Sequence, residues 1–292
     1  MTDISRQEYY KNIDLRFEII HQLKHRETMF IPFDSNNNAK PPIRWLNASC
    51  LKFLDKHFER YGFLDEKMNI YNSLATYKDF PMFSYNWRIK SQEQEIWLKE
   101  FIHHIEKYDC FIETDCKKID IAKSDILKVK KFLDEHKVRY SIKFSGSKGF
   151  HIIIEYDDFS FIPLPIFVDD ESKPDYVKLF KLINLRLKTM LGADTIDTSI
   201  SDIKRVCKTA YTWDVKSGLI AYPLTDAQLD NFSTVMVMPR NVIRYNNHKR
   251  GLLWRNHTCM TQRKMHILDM LKALAIDYDK TPEVLARIKE QT

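Results

Sequence analysis

The sequence predicts an α/β protein built as a single unit. Short apolar runs of strand character alternate with amphipathic segments of helical period along most of the 292 residues. The sequence contains no internal repeat, low-complexity tract or linker rich in Gly or Ser that would divide it. A chain of this length can bury about 75% of its unfolded surface. We therefore predict one domain spanning residues 1–292.

Apolar residues at helical spacing predict a first helix that ends near residue 25. Ile13, Phe17, Ile20 and Leu23 recur with polar groups between them. After this helix, strand propensity and turn residues indicate a hairpin with a long loop. The predicted elements that follow are a strand at 29–33, a strand at 43–46, a helix at 51–61, a candidate strand at 69–74 and a helix at 92–108.

The middle of the chain alternates strand and helix more regularly. Ser124 has the side chain of a helix N-cap and precedes apolar residues of 3.6-residue period. Ser172 and Pro174 mark the start of a later helix, and Gly192 marks its end. From residue 109 onward the predicted elements are a strand at 109–115, a helix that begins at Ser124, strands at 138–144 and 149–156, a helix at 172–191, an irregular segment at 194–218, a strand at 219–224, and helices at 261–275 and 281–290.

The overall charge suits a polyanionic partner. The net charge is +6 and the isoelectric point is about 8.8, although basic proteins without such a partner look the same. No apolar run approaches the ~20 residues that cross a bilayer, and the N-terminus lacks the apolar core of a signal peptide. We expect a soluble intracellular protein, cytoplasmic or nucleoid-associated, with no membrane partner.

The cysteines favour free thiols in a reducing compartment. They are odd in number and form no C-x2-C pair. The alternative is a zinc site built from Cys110, Cys116 and either His103 or His104. Its spacing fits no standard zinc knuckle, so we do not expect zinc. The five cysteines are Cys50, Cys110, Cys116, Cys207 and Cys259.

Two acidic residues end the apolar run CFIETD. Glu113 and Asp115 are two residues apart, so on a strand they project to the same face. Neighbouring carboxylates repel, and a divalent cation between them relieves this repulsion. Mg²⁺ or Mn²⁺ suits a site of carboxylate oxygens, water and substrate phosphates. The alternative is a solvated strand end without a ligand.

A two-metal site needs a third carboxylate from elsewhere in the chain. We select Asp197, which follows the long helix predicted at 172–191. Asp194 and Asp202 are the nearby competitors.

The segment SGSKGFH joins two predicted strands and carries groups that bind phosphate. Ser145 supplies a hydroxyl, Lys148 a positive charge and His151 an imidazole, while Gly146 and Gly149 let backbone N–H groups approach an anion. The alternative is a hairpin turn with an incidental lysine and histidine. The segment is not a P-loop, because G-x-x-x-x-G-K-[ST] is absent.

Two further segments are basic. The first carries Lys204, Arg205, Lys208 and Lys216, which suit a nucleoside triphosphate of about four negative charges. The second interleaves cations with aromatic residues, which can follow a single strand by charge and stacking; a solvated charged face is the alternative. Its residues are Arg240, Arg244, Tyr245, His248, Lys249, Arg250, Trp254 and Arg255.

Taken in order, these segments resemble the archaeo-eukaryotic primase superfamily, and most of all the small catalytic subunit of archaeal and eukaryotic DNA primases. FIETD matches the family's acidic pair at the end of an apolar strand. The family pattern S-G-x-x-G-x-H is matched by Ser145, Gly146, Gly149 and His151. DTSISDIKRVCKTAYTWDVKSG resembles the third motif, an acidic residue followed by a K-[ST]-G turn. Upstream, HRETMF followed by IRWL resembles an arginine-plus-hairpin segment.

The resemblance implies a primase-type catalytic fold, with a mixed or antiparallel sheet flanked by helices. It covers about residues 20–225 and leaves a basic and helical extension at about 232–292. It implies that Glu113, Asp115 and Asp197 hold two metal ions and catalyse nucleotidyl transfer. The residues that it assigns to the bound nucleotide are Arg44, Ser145, Lys148, His151, Arg205, Lys208 and Lys216.

The implied activity is synthesis of short RNA or DNA primers on a single-stranded DNA template from nucleoside triphosphates. De novo initiation holds two nucleotides at once, so we also expect a larger primase subunit or another replication protein as partner. The first alternative is a stand-alone primase-polymerase that extends primers in repair or mobile-element replication. The second is a nucleic-acid-binding module with an inactive site.

The chain departs from the family pattern at three points. Its first acid is Glu113 rather than Asp, and Asp214 stands where the third motif often has a histidine before K-[ST]-G. The zinc-knuckle insertion common between the first two motifs is absent, because a compact helix fills residues 116–138. Asn69 and Asp214 are candidate contacts to the nucleotide sugar.

Overall fold

The computed structural model describes residues 4–63, 67–78, 102–168, 173, 175–199, 202–246 and 263–276. Contacts divide the chain into two compact units. The first unit comprises residues 1–106, 142–147 and 204–256, and the second comprises 107–141, 148–203 and 257–292. The single-domain organisation stays a prediction.

Two helices form the N-terminal segment of the first unit, α1 at Arg6–Lys11 and α2 at Ile13–Leu23. Asn12 lies between them with extended backbone, and its side chain accepts a hydrogen bond from Leu15 N. It therefore ends one helix and caps the next. The predicted helical segment is confirmed, with a break at Asn12.

A four-stranded antiparallel sheet follows in the first unit. Its spatial order is β2, β1, β3, β9. The three strands predicted at 29–33, 43–46 and 69–74 are confirmed to within one residue. The bounds are β1 Thr28–Pro32, β2 Ile43–Leu46, β3 Met68–Ser73 and β9 Val206–Lys208.

Strand β9 lies inside the segment predicted to be irregular, so that prediction is wrong there. The strand has only three residues, too few for a periodic pattern to show in the sequence. It forms because β3 offers a partner edge, with Lys208 opposite Tyr71.

Aromatic side chains fill the core beneath this sheet. The predicted helix at 51–61 is confirmed as α3, Leu51–Arg60. Phe58 on α3 stacks on Phe63 with ring centroids 4.1 Å apart, and both rings approach Phe30 of β1. Such aromatic pairs contribute about 0.5–1.5 kcal/mol each beyond the burial of their area.

The other elements described in the first unit are short. The strand predicted at 219–224 is reduced to two residues, which pair antiparallel with β7 through Tyr222 opposite Phe144. The elements are β4 Ala75–Tyr77, β7 Ser141–Phe144, β10 Tyr222–Pro223, α6 Asp226–Asp230 and α7 Pro239–Asn246.

The helix predicted at 92–108 is wrong at its C-terminal end, where Ile105–Tyr108 forms strand β5. Its two apolar ends are buried and its two central charged residues are more exposed. Ile105 fits a helical period and a strand period equally, so the pattern could not separate them. Residues 92–101 of that prediction lie outside the described residues.

In the second unit two strands pair antiparallel. They are β6 at Cys110–Glu113 and β8 at Phe150–Ile154, and Glu113 lies opposite His151. Both strands were predicted, at 109–115 and 149–156, and are confirmed with shorter bounds. Helices α4 Ile119–Glu135 and α5 Tyr176–Leu191 pack on them. The core that these elements share includes the fully buried Ile112, Ile126, Val129, Ile152 and Ile183.

The predicted start of α4 at Ser124 is wrong. The helix begins at Ile119, with Lys118 at the N-cap and no side-chain cap bond. Ala122 is fully buried on the extra turn. Packing of that turn outweighs the local capping signal of Ser124, which lies inside the helix.

The predicted start of α5 at Ser172 is also wrong. The N-cap is Asp175, whose carboxylate accepts from Lys178 N at 2.7 Å. The predicted end is confirmed, because Gly192 follows the helix in the left-handed conformation.

One C-terminal helix is described, α8 at Arg263–Ala273, which confirms the prediction at 261–275. The helix predicted at 281–290 lies outside the described residues. None of the helices within the described ranges has the length and apolar character needed to cross a membrane.

Candidate active site

The acidic residues of the second unit lie on a short antiparallel pairing. Thr114 bridges Ile196, Asp197 N donates to the Glu113 carbonyl at 2.9 Å, and Asp115 N donates to the Thr195 carbonyl at 2.9 Å. These two hydrogen bonds place Glu113 directly opposite Asp197. Opposite residues of an antiparallel pair share a face, and so do residues two apart.

Burial along the two segments alternates as this pairing requires. Thr114 and Ile196 are each 1% exposed, whereas Glu113 and Asp197 are half-buried and Asp115 is exposed. The three predicted acids therefore lie together on one solvent-facing side of the pairing.

Each acid contacts a neighbouring side chain. Lys148 Nζ lies 2.8 Å from Asp115 Oδ1, and His151 Nε2 lies 3.3 Å from Glu113 Oε1. Asp197 Oδ1 accepts from both the backbone N and the hydroxyl of Ser199. Within the part of the chain that the structure describes, no three His, Cys, Asp or Glu side chains are placed to hold a metal ion together.

Ser199 was not predicted from the sequence. The sequence nevertheless contained a signal for this contact, because an Asp followed two residues later by a Ser commonly forms a local hydrogen-bonded turn. The competitor acids lie elsewhere: Asp194 precedes the paired segment, and the Asp202 carbonyl accepts from the Tyr108 hydroxyl at 2.9 Å.

Gly149 lies against the backbone of the acidic segment. A Cβ at this position would lie 1.7 Å from the Thr114 carbonyl oxygen, so no other residue fits without movement. The Phe150 N–H donates to the Thr114 hydroxyl at 3.0 Å, and Thr114 N–H donates to the Phe150 carbonyl at 2.9 Å. The second glycine of S-G-x-x-G-x-H thus holds the turn close to the residue between the two acids.

The first half of the same turn belongs to the first unit. Gly146 has a φ of +88°, and a Cβ there would meet Ala221 N at 3.0 Å. The Ser217 hydroxyl donates to the Gly146 carbonyl. The Ser145 hydroxyl accepts from Ser147 N at 3.3 Å.

Lys208 and Asp214, both from the third motif, form a buried ion pair in the first unit. Lys208 Nζ lies 2.9 Å from Asp214 Oδ2, and Asn69 Nδ2 donates to the same oxygen at 3.0 Å. Burial lowers the pKa of Lys208 to about 8, although the Asp214 charge opposes that shift. Burial raises the pKa of Asp214, but Lys208 and the hydrogen bonds from Ser217 and Lys216 outweigh it, so that pKa lies below its usual value.

Arg44 also forms an ion pair with a buried acid. Its Nε and Nη2 bind the two oxygens of Glu27 at 2.7 and 2.9 Å, and Nη2 also donates to the Lys204 carbonyl at 3.0 Å. The Glu27 side chain is fully buried. The sequence did not reveal Glu27 as a partner, because it precedes β1 without any distinguishing pattern.

The other basic residues are dispersed in the first unit. The Arg205 carbonyl accepts from Leu74 N at 3.0 Å, and Lys216 Nζ lies 5.6 Å from the ring centroid of Phe33. Arg240 and Arg244 are exposed and one turn apart on α7. The basic residues from His248 to Arg255 lie outside the described residues.

The residues of the alternative zinc site do not cluster in the described part of the chain. Cys110 is fully buried in β6, and burial raises the pKa of its thiol. Cys116 is half-buried.

Comparison with known proteins gives similarity of structure but not of sequence. No family model matches the chain, and no curated protein matches it. A solved structure described as the polymerase domain from Mycobacterium tuberculosis Ligase D in complex with DNA is similar with a TM-score of 0.54. Identity is 11%, over 85% of this chain and 90% of that chain.

A second solved structure is the AEP domain of the Cyanophage S-2L primase-polymerase, with a TM-score of 0.39 and 11% identity over 80% of this chain and 96% of that one. The predicted α/β class, with antiparallel sheets and flanking helices, is confirmed. The chain has the fold of the Ligase D polymerase domain.

Proposed function

We infer that this protein is a nucleotidyltransferase of the archaeo-eukaryotic primase type that copies single-stranded DNA. One observation carries the inference: Glu113, Asp115 and Asp197 share an accessible face, and Lys148 contacts that face at Asp115. A chain that only bound nucleic acid would have no need of three carboxylates gathered on one face.

The donor set fits Mg²⁺ or Mn²⁺. All three side chains offer carboxylate oxygens, which hard divalent cations prefer, and they come from adjacent backbone segments. As placed, the carboxylates contact Lys148, His151 and Ser199, and they would have to turn toward a shared ion. Bound ions would supply Lewis-acid activation of the attacking hydroxyl and stabilise the charge of the departing pyrophosphate.

In the proposed reaction a 3′-hydroxyl oxygen bonds to the α-phosphorus of a nucleoside triphosphate. The bond from that phosphorus to the bridging oxygen breaks, pyrophosphate leaves with the electron pair, and the hydroxyl proton is lost to water. Lys148 is suited to bind the phosphates, since its ammonium is half exposed and its stem is flexible. His151, opposite Glu113, would orient that carboxylate.

The finer assignment is the catalytic subunit of a DNA primase, which makes short primers with a larger subunit or another replication protein. The stand-alone primase-polymerase that extends primers is an equally good candidate. The similarity to a polymerase domain in complex with DNA supports a DNA template for both candidates. Arg44, Ser145, Arg205 and Lys216 are further proposed nucleotide contacts, on the strength of the sequence resemblance.

The deciding experiment measures incorporation of labelled ribo- and deoxyribonucleotides on single-stranded DNA, with and without a primer, in Mg²⁺ or Mn²⁺. Asp115→Asn should abolish incorporation, whereas Asp120→Asn, the same change at an exposed residue of α4, should not.

Products made without a primer would support the primase, and products made only from a primer would support the stand-alone polymerase. Absence of both synthesis and metal-dependent triphosphate binding would contradict the proposed function and leave the inactive binding module.

A further inference from the structure

The turn at 214–218 is organised by a single buried carboxylate. Asp214 Oδ1 accepts from the backbone N of both Lys216 and Ser217 at 3.0 Å. The Asp214 backbone N donates to the Leu219 carbonyl at 2.8 Å, and its own carbonyl accepts from Gly218 N at 3.0 Å. The side chain and backbone of Asp214 thus satisfy four backbone groups of residues 216–219.

Two residues of the first unit's sheet bind the Asp214 side chain. Its Oδ2 accepts from Lys208 of β9 and from Asn69 of β3. The Asn69 Oδ1 accepts from Val215 N at 2.9 Å, so the amide bridges the carboxylate and the turn. Asn69 and Asp214 are 2% and 6% exposed, and Lys208 is 3% exposed. Hydrogen bonds among desolvated charged groups are stronger than those in water, and they fix geometry.

The 214–218 turn also contacts Gly146 of the second motif, S-G-x-x-G-x-H. The Ser217 hydroxyl donates to the Gly146 carbonyl and accepts from Leu219 N at 3.1 Å. Gly146 lies close to the backbone of Ala221, three residues after Gly218. The residue that follows Ser145 is therefore held on both sides by the segment 217–221.

We propose that Asp214, Lys208 and Ser217 are positioning residues for nucleotide binding. Asp214, neutralised by Lys208, shapes the 214–218 turn so that Ser217 holds Gly146, and Ser145 is thereby fixed for a phosphate. Asp214 thus positions the turn from the place where the family's third motif often has a histidine. Lys208 acts through Asp214 instead of touching the nucleotide. This inference rests on the proposed function, because it concerns how the same nucleotide is held.

The first test is Ser217→Ala, which removes the hydroxyl that donates to the Gly146 carbonyl and accepts from Leu219 N, and leaves the Ser217 backbone N bonded to Asp214. Hydrogen exchange of peptides covering 145–149 should become faster than in the unaltered protein. In primer extension, the KM for the nucleotide should rise about fivefold, the effect of losing one neutral hydrogen bond, with kcat changed less than twofold. Ser217→Thr, which keeps the hydroxyl, should restore both values. Ser160→Ala is the matched control, since Ser160 also donates to a backbone carbonyl, that of Asp157.

Unchanged exchange at 145–149 would overturn the inference whatever the enzyme activity. Faster exchange with an unchanged KM would also overturn it, because the turn would then not matter for the nucleotide. If the unaltered protein neither binds nor incorporates nucleotides, the proposed function fails, while the exchange result still reports on the Ser217 link alone.

The second test asks whether Lys208 works through Asp214. The KM is measured for Asp214→Asn, Lys208→Met and the double variant. Residues that act as one unit give non-additive effects, so the double variant should be no worse than the worse single variant. If the increases in KM of the two single variants instead multiply in the double variant, Lys208 contacts the nucleotide independently of Asp214, and that part of the inference is overturned.

Discussion

Lys148 Nζ lies 2.8 Å from Asp115 Oδ1, so the lysine ammonium forms an ion pair with one of the three carboxylates proposed to bind metal. Both side chains are about half exposed, at 51% and 49%. Exposed ion pairs are worth only about 0.2–1 kcal/mol, so a divalent cation or a phosphate can separate this one.

Lys148→Met should therefore strengthen metal binding in the absence of nucleotide. We expect the Kd for Mn²⁺, measured by electron paramagnetic resonance, to fall by up to about fivefold, the equivalent of one exposed ion pair. Binding of the triphosphate should weaken in the same variant. Lys131→Met, which removes an exposed lysine from a pair with Glu135, is the control. An unchanged or higher Kd for Mn²⁺ would show that Lys148 does not compete for Asp115.

Asp197, and not Asp194, should be the third catalytic acid. Asp197→Asn should lower the rate of nucleotide incorporation at least about 100-fold, because it removes the negative charge of one of the three carboxylates proposed to hold the metal ions. Asp194→Asn should change that rate less than about threefold. Steady-state incorporation assays at saturating metal would compare the two, and equal losses would contradict the assignment.

Gly149→Ala should destabilise the protein strongly. The added Cβ would overlap the Thr114 carbonyl oxygen, so either the turn or the acidic segment must move. We expect a loss of about 2–4 kcal/mol in the free energy of unfolding, measured with denaturant. Gly192→Ala has open space around its Cβ and should cost only about 1 kcal/mol, from its left-handed backbone. Similar losses for the two variants would show that the close approach at Gly149 is not a constraint.

Glu18 should make stability depend on pH. Burial, with a contribution from Asp14, raises its pKa from 4.5 to about 7. The folded state then binds the proton more tightly than the unfolded state, so the Glu18 contribution is complete below about pH 4.5 and is lost as the pH rises through about 7. Glu18→Gln should raise Tm relative to the unaltered protein more at pH 8 than at pH 5. Glu59→Gln on α3 is the exposed control, and the same difference in Tm at both pH values would refute the prediction.

Arg44 should contribute to stability as well as to any nucleotide contact. Arg44→Met leaves the buried Glu27 carboxylate without its main cation, and removing one partner of a buried pair costs about 3–5 kcal/mol. The double variant Arg44→Met/Glu27→Met should recover part of that loss in denaturant unfolding. If both variants unfold like the unaltered protein, the pair does not contribute to stability and Arg44 is left with the nucleotide role alone.

Much of the fold could be predicted because the relevant signals are local. The short apolar runs of β6 and β8 and the Gly192 end of α5 depend on residues within one element. Predictions failed where packing outweighed a local signal, as at Ser124, or where a short strand depended on a distant edge, as in β9.

The sequence by itself determined that Glu113 and Asp115 share a face, since two residues along a strand always do. Only the tertiary structure decided that Asp197 lies opposite Glu113, that Asp214 is neutralised by Lys208, and that Gly149 approaches Thr114. These relationships join segments far apart in the chain. They depend on strand register and on the burial of charge, which side-chain periodicity within one element does not encode.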